Sequence, residues 1–177
     1  MKPRALDRCI AVACITGILV STYALYVETA VETQPGYKAL CDISEHASCS
    51  RVLTSEYAKG FGIAANDSPL QIPNCIYGIA FYCLMIFLST FDQLLVVRLQ
   101  LLLATSSVAM CAYMAYLLVF VLHDFCLVCI TTYVVNGILV LLIYKKMNML
   151  LDVDIFILTK RRVLKGYKIV RLTIRFL

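Results

Sequence analysis

No tryptophan occurs among the 177 residues, histidine occurs only twice and proline four times, and charged residues make up 15% of the chain. A soluble domain usually carries about 25% charged residues, so the shortage excludes a water-soluble globule and a charge-rich disordered chain. His46 and His123 are too few to build a four-ligand zinc site by themselves. Neither a G-x-G-x-x-G fingerprint nor a P-loop is present, which removes the common nucleotide sites. Internal repeats and low-complexity stretches are lacking too. What fills the chain is apolar, at 62% hydrophobic residues and mean hydropathy +0.85. Four uncharged apolar runs, 9–27, 75–91, 99–122 and 125–144, hold 80 residues. Each is close to the roughly 20 residues that cross a hydrocarbon core at about 1.5 Å per residue. The expected fold is an all-α integral membrane protein, a four-transmembrane-helix bundle. The 19-residue first run exceeds the usual core of a cleaved signal, and Val27-Glu28-Thr29 is a poor cleavage site, so it is read as a retained span.

Basic residues set the orientation. Lys2, Arg4 and Arg8 precede the first run, Arg98 lies between the second and third, and nine more follow from Lys145 onward. The 28–74 connection carries three basic residues against six acidic ones. Basic loops stay cytoplasmic, so both termini are expected in the cytosol and the 28–74 loop in the lumen or exterior. The net charge of +5 comes from the tail. It suits an anionic leaflet of membrane lipids and implies no nucleic-acid partner. Residues 1–150 form the expected membrane domain and 151–177 a basic cytosolic tail. Lys160-Arg161-Arg162 with Ile169, Leu172 and Ile174 either lies on the leaflet or extends without structure.

Within the loop, Pro35-Gly36 ends the first helix, while Pro69 and Pro73 frame the approach to the second. A short amphipathic helix is expected within 41–57, with Ile43, Ala47, Val52 and Leu53 as its apolar contacts, followed by a turn at Lys59-Gly60-Phe61-Gly62. The loop is expected to cap the bundle, because its aromatic and aliphatic residues need burial.

The nine cysteines divide by position. Cys9, Cys14, Cys75, Cys83 and Cys111 lie in or at the spans, where cysteine packs as a small apolar residue. Cys41 and Cys49 belong to the loop on the oxidising side. Cys126-Leu127-Val128-Cys129 is a C-x-x-C at the mouth of the fourth run. Such a pair binds metal, forms a static disulfide or does redox work. The lumenal side, the second pair and the first helical turn favour redox work, since a helix N-terminus stabilises a thiolate. At 100° per residue, Cys126, Cys129 and Tyr133 share one helix face. Cys126 would then sit at the mouth, within reach of a lumenal thiol, with Cys129 and Tyr133 deeper. The Tyr133 hydroxyl either bonds a neighbouring helix or donates to a ligand. Asn74, likewise, is either a helix cap or a donor to the same cavity.

Ala39-Leu40-Cys41-Asp42, Ser48-Cys49-Ser50-Arg51-Val52, Gly60-Phe61-Gly62, Asn74 before Ile76-Tyr77-Gly78, and Asp124 through Tyr133 together resemble the vitamin K epoxide reductase family. The resemblance covers roughly residues 9–146, with four cysteines, the asparagine and the tyrosine in order. It implies a four-helix bundle of the endoplasmic reticulum membrane with a lumenal capping loop. Its members reduce vitamin K 2,3-epoxide to the quinone and the quinone to the hydroquinone, with a dithiol as reductant and no bound cofactor or metal. By the same resemblance, Cys129 attacks the substrate and Cys126 is its disulfide partner. Cys49 and Cys41 relay electrons from lumenal thioredoxin-like oxidoreductases. Asn74 and Tyr133 donate hydrogen bonds to the substrate oxygens, Tyr133 also contacts coumarin-type inhibitors, and Phe81, Tyr82, Met114, Val52 and Leu53 line the pocket. Leu53, Tyr57 and Cys75 stand where Phe, Trp and Ser are common in vertebrate members. Two competing readings stay open: a quinone-linked oxidase of partner thiols, and a tetraspan scaffold whose loop cysteines form static bridges.

Overall fold

The computed structural model describes residues 3–34, 36–44, 47–63 and 68–175, with side chains given for 5–157, 159 and 160 of these. Pro35, His46 and the tail side chains past Lys160, including Arg161, Arg162, Ile169, Leu172 and Ile174, lie outside the described set. The order of elements is α1 (Pro3–Thr33), α2 (Cys49–Leu53), two 3-10 turns (Glu56–Ala58 and Gly60–Gly62), α3 (Asn74–Ser89), α4 (Leu94–Phe120) and α5 (Leu127–Arg175). No strand occurs among the described residues, only isolated bridges at Ser44–Ala47 and Lys59–Pro73.

Three of these helices are long and apolar enough to cross a membrane: Ala5–Thr33, Leu94–Phe120 and Leu127–Ile157. The expected second span is an apolar helix of 16 residues, which at 1.5 Å per residue covers about 24 Å, short of the ~30 Å hydrocarbon core. The protein is therefore an all-helical, multi-pass membrane protein in which α3 is the short member. Large apolar side chains such as Leu19, Leu95, Leu102 and Leu141 remain exposed on the outer faces, as expected where lipid replaces water as solvent.

The last helix does not stop at 144. It continues through the basic segment to Arg175. The expected helix across 41–57 is also shorter, because Asp42 competes for the backbone. Its carboxylate accepts from Ala39 N–H at 2.9 Å, Ser48 Oγ at 2.9 Å, Ser50 N–H at 3.0 Å and the Ser50 hydroxyl. Those bonds tie 39–42 to 48–50, and among the described residues of 41–57 only Cys49–Leu53 is α-helical, capped by Ser48 Oγ on Arg51 N–H. Ile43 is 73% exposed and is not part of the buried core.

Helix α1 packs along α3 and α5, while α4 packs on α5 and more lightly on α3. A mid-bundle core joins Ile10, Cys14, Tyr82, Met85, Val97, Ala104, Val135, Leu139 and Ile143. Gly17 permits the close approach of α1 and α3, since a Cβ there would collide with the Tyr82 ring. A second core at the loop end joins Ala24 and Val27 of α1 to Ala39, Cys41 and Cys49 of the loop and to Leu118, Cys126 and Val128. Consequently the loop lies against the bundle.

At the opposite end Lys146 is 1% exposed. Its Nζ lies 2.8 Å from Asp7 and 3.1 Å from Asp92, and donates to the carbonyls of Ser89 (3.0 Å) and Phe91 (3.4 Å). One ammonium thus ties α1, the end of α3, the following turn and α5 together, a placement that also suits the negative end of the α3 dipole.

Candidate active site

The turn from α4 to α5 brings Cys126 to the start of the last helix. His123 takes φ +52° and Asp124 N–H returns to Leu118 O, so the chain reverses in a few residues. Cys126 occupies the position before the first helical residue, where a side-chain acceptor satisfies a free N–H. Its sulfur does so, accepting from Cys129 N–H at 3.3 Å and lying 2.8 Å from Cys129 Sγ. A disulfide needs about 2.05 Å, so a small rotamer change joins the pair.

The mouth expected at Cys126 is closed. Cys126 and Cys49 are both 0% exposed, because the loop carrying the Cys41–Cys49 disulfide packs over them. Arg51 fastens that loop through a 2.7 Å ion pair to Asp124, two residues before Cys126. Asp42 anchors it as well. Burial works against the charge of its carboxylate, yet the bonds from Ser50, Ala39 and Ser48 outweigh burial and hold it below the usual carboxylate range.

Cys129 opens on the other side, into a cavity of about 480 Å³. This is the size range of small-molecule sites. Val52, Leu53, Asn74, Phe81, Tyr82, Met114 and Tyr133 all line it beside Cys129, so the structure brings together in one space every pocket residue singled out above. Cys41, Cys49 and Cys126 do not line it; they form the buried cluster behind Cys129.

The polar groups of the cavity differ in what they are free to do. The Tyr82 hydroxyl donates to Asn136 Oδ1 at 3.1 Å, and Asn136 Nδ2 lies 3.1 Å from Cys111 Sγ; these form a satisfied wall. Among the described residues no protein group takes up the Tyr133 hydroxyl, although its neighbours on the stripe, Cys129 and Asn136, also face the cavity. Asn74 is engaged at both ends. Its Oδ1 accepts from Phe61 N–H at 2.8 Å, and its Nδ2 donates to Tyr57 O at 2.7 Å. Neither bond caps α3. They hold the turn Gly60-Phe61-Gly62, in which three successive residues have positive φ, a conformation that Phe61 adopts only against a steric penalty. Asn74 therefore clips the 57–62 lid to the cavity rim.

Asn136 and Glu28 are among the lining residues not singled out from the sequence. Asn136 lies one helical repeat beyond Tyr133 on the Cys126–Cys129–Tyr133 stripe, and extending that period would have found it. Glu28, 2% exposed, directly follows the first apolar run. It looked like the start of a hydrated loop, yet α1 continues past it to Thr33. No group of three or more metal-ligating side chains occurs among the described residues.

Comparison with known proteins bears on this geometry directly. The model of the vitamin K epoxide reductase family matches residues 8–144. The chain belongs to that family. It is 42% identical over 137 residues to the vitamin K epoxide reductase complex subunit 1 of Mus musculus, covering 75% of this chain and 85% of the relative. The protein of the same name from Rattus norvegicus is 41% identical over the same length and shares. The family match includes both cysteine pairs, Asn74 and Tyr133, and it ends before the basic tail. Family membership makes the chain a thiol oxidoreductase of the membrane.

Proposed function

We propose that the protein reduces vitamin K 2,3-epoxide to the quinone and the quinone to the hydroquinone in the endoplasmic reticulum membrane, with both termini in the cytosol. The observation that carries this reading is Cys129, which faces a 480 Å³ apolar cavity while its partner Cys126 is buried in one cluster with the Cys41–Cys49 disulfide. A thiolate at Cys129 attacks the ring, and Cys126 attacks Cys129 Sγ to release the product and close the C-x-x-C disulfide. The quinone leaves as hydroquinone after gaining two electrons and two protons. The epoxide leaves as quinone, its extra oxygen lost as water. Tyr133, with its uncommitted hydroxyl, donates to one substrate oxygen, and Asn74 contributes from the rim. Cys49 then reduces Cys126–Cys129 by exchange and pairs with Cys41, which lumenal thioredoxin-like proteins reduce in turn. Because the loop cysteines and Cys126 are buried together, the loop must shift for an outside dithiol to reach them, and the Arg51–Asp124 pair is one of the contacts that must give way. Coumarin-type inhibitors occupy the same cavity, with Leu53 and Tyr57 setting their affinity.

The test is reduction of vitamin K epoxide by purified protein in lipid. Cys126→Ala and Cys129→Ala each abolish turnover driven by a small dithiol. Cys41→Ala and Cys49→Ala cripple turnover driven by a protein dithiol and spare much of that driven by the small one. Residual activity of either C-x-x-C variant near that of the parent would sink the assignment. Equal loss at the loop cysteines with both reductants would make that disulfide structural, as a scaffold requires.

A further inference from the structure

We propose that Glu28 is the proton donor of the cavity, passing a proton to a substrate oxygen and taking its replacement from the aqueous phase beside Lys59 and Glu32; this rests on the quinone-reduction reading above. Glu28 is the one carboxyl residue among those lining the cavity, and it is 2% exposed. Its Oε2 accepts from the Cys75 thiol on α3 at 3.4 Å. Its Oε1 is buried and has no hydrogen-bond partner. Buried polar atoms are nearly always paired, so this unpaired oxygen is left for a partner outside the protein, reached when the side chain turns toward the cavity that Glu28 lines.

A carboxyl buried among apolar residues needs access to water if it is to be used repeatedly. Lys59 provides that access from the lid. Its Nζ is 4.0 Å from Glu28 Oε1 and 2.9 Å from Glu32 Oε1, and the side chains of Lys59 and Glu32 are 39% and 50% exposed while that of Glu28 is 3%. The groups facing Glu28 are therefore Lys59 from the lid, Cys75 from α3 and Glu32 from its own helix. The Glu32 hydrogen bond, against a smaller effect of burial, keeps the Lys59 ammonium protonated above the usual lysine range. The series runs from solvent through a charged pair to a carboxyl inside the cavity.

Proton balance gives this carboxyl a task. When Cys129 attacks as a thiolate and Cys126 resolves as a thiol, the C-x-x-C pair supplies two electrons but only one proton. Hydroquinone needs two. The protonated Glu28 carboxyl supplies the second, leaving a carboxylate that water refills beside Lys59. Quinone, thiolate, thiol and one proton then become hydroquinone and disulfide with charge conserved.

The experiment follows single-turnover quinone reduction by protein pre-reduced with dithiol in lipid nanodiscs, from pH 5.5 to 9. Parallel arms measure quinone binding by quenching of tyrosine fluorescence and disulfide formation by thiol labelling. General acids contribute about 10²- to 10⁴-fold. Glu28→Gln, which keeps the shape and the acceptor for Cys75, is expected to slow the step at least tenfold and to flatten its fall at alkaline pH. Quinone binding stays within about threefold, and diamide still closes Cys126–Cys129. Glu28→Asp restores a pH-dependent rate. An unchanged rate and pH profile in Glu28→Gln would overturn the proposal, and so would a loss of rate matched by a loss of quinone binding. If Glu28→Gln fails to assemble, Lys59→Gln decides: a slower step with a displaced pH limb supports the route, and a parental profile refutes it. Absence of turnover in the parent protein would sink the reductase reading and this inference together, whereas turnover there with an indifferent Glu28→Gln sinks only the inference.

Discussion

Replacing Asn74 by alanine separates two tasks that the residue is in a position to perform. The side chain accepts from Phe61 N–H at 2.8 Å and donates to Tyr57 O at 2.7 Å. Each neutral bond is worth about 0.5–1.5 kcal/mol net, so losing both costs about 1–3 kcal/mol. Phe61 sits at φ +58° between Gly60 and Gly62, a conformation unfavourable to a side-chain-bearing residue, and the turn relaxes once the bonds are gone. The closed lid therefore becomes less favourable by roughly 5- to 150-fold. Hydrogen exchange in nanodiscs reads this directly: amide protection over residues 57–62 falls by that factor in Asn74→Ala, while the mid-helix amides of α4 are unchanged. Quinone affinity weakens in step, because Tyr57 and Phe61 line the cavity. Weakened affinity with full protection at Phe61 would refute the reasoning. Asn74 would then act on the substrate alone, and the lid would close without it.

Two further outcomes are expected elsewhere. Lys146→Ala leaves Asp7 and the carbonyls of Ser89 and Phe91 without their buried cation, and removing one partner of a buried pair costs about 3–5 kcal/mol; the variant melts markedly earlier in detergent, and a melting temperature like the parent's would mean that water replaces the ammonium. The Asp42 carboxyl lies below its ordinary range when folded, so its support of the loop is complete above the unfolded value near 3.9 and disappears as pH falls through the lower folded value. Protection of the 39–50 amides should accordingly hold steady from pH 7 to 5 and fall below about 4, whereas Asp42→Asn loses protection at every pH; an acid-insensitive parent loop would show that the carboxylate is not its anchor.

The apolar runs were legible because they depend on local composition alone: α3 and α4 coincide with 75–91 and 99–122 to within a few residues. Helix ends were less legible. Glu28 and Glu32 read as loop because a carboxylate is costly in hydrocarbon, but Lys59 of the lid pairs with Glu32 at 2.9 Å and Cys75 hydrogen-bonds Glu28 from α3, so α1 continues. The helix expected across 41–57 failed for a similar reason. Periodicity counted apolar positions and could not weigh the four donors that converge on Asp42.

The candidate site divides along the same line. Cys126, Cys129 and Tyr133 lie on one helix, where the 3.6-residue period determines which share a face, so their grouping could be read directly. Asn74 was noticed, but its partners Phe61 and Tyr57 belong to an irregular turn that no period describes. The burial of Cys126 was hidden for a further reason. It results from a loop held down by Arg51 on Asp124 and by the Asp42 knot, contacts between segments distant in sequence whose outcome depends on packing. Exposure is thus the property that local pattern specifies least, and it is the property on which thiol exchange depends. A buried Cys126 protects the C-x-x-C pair from random thiols while the loop is seated. In the proposed cycle an excursion of that loop, not the intrinsic reactivity of the sulfur, sets how readily electrons enter.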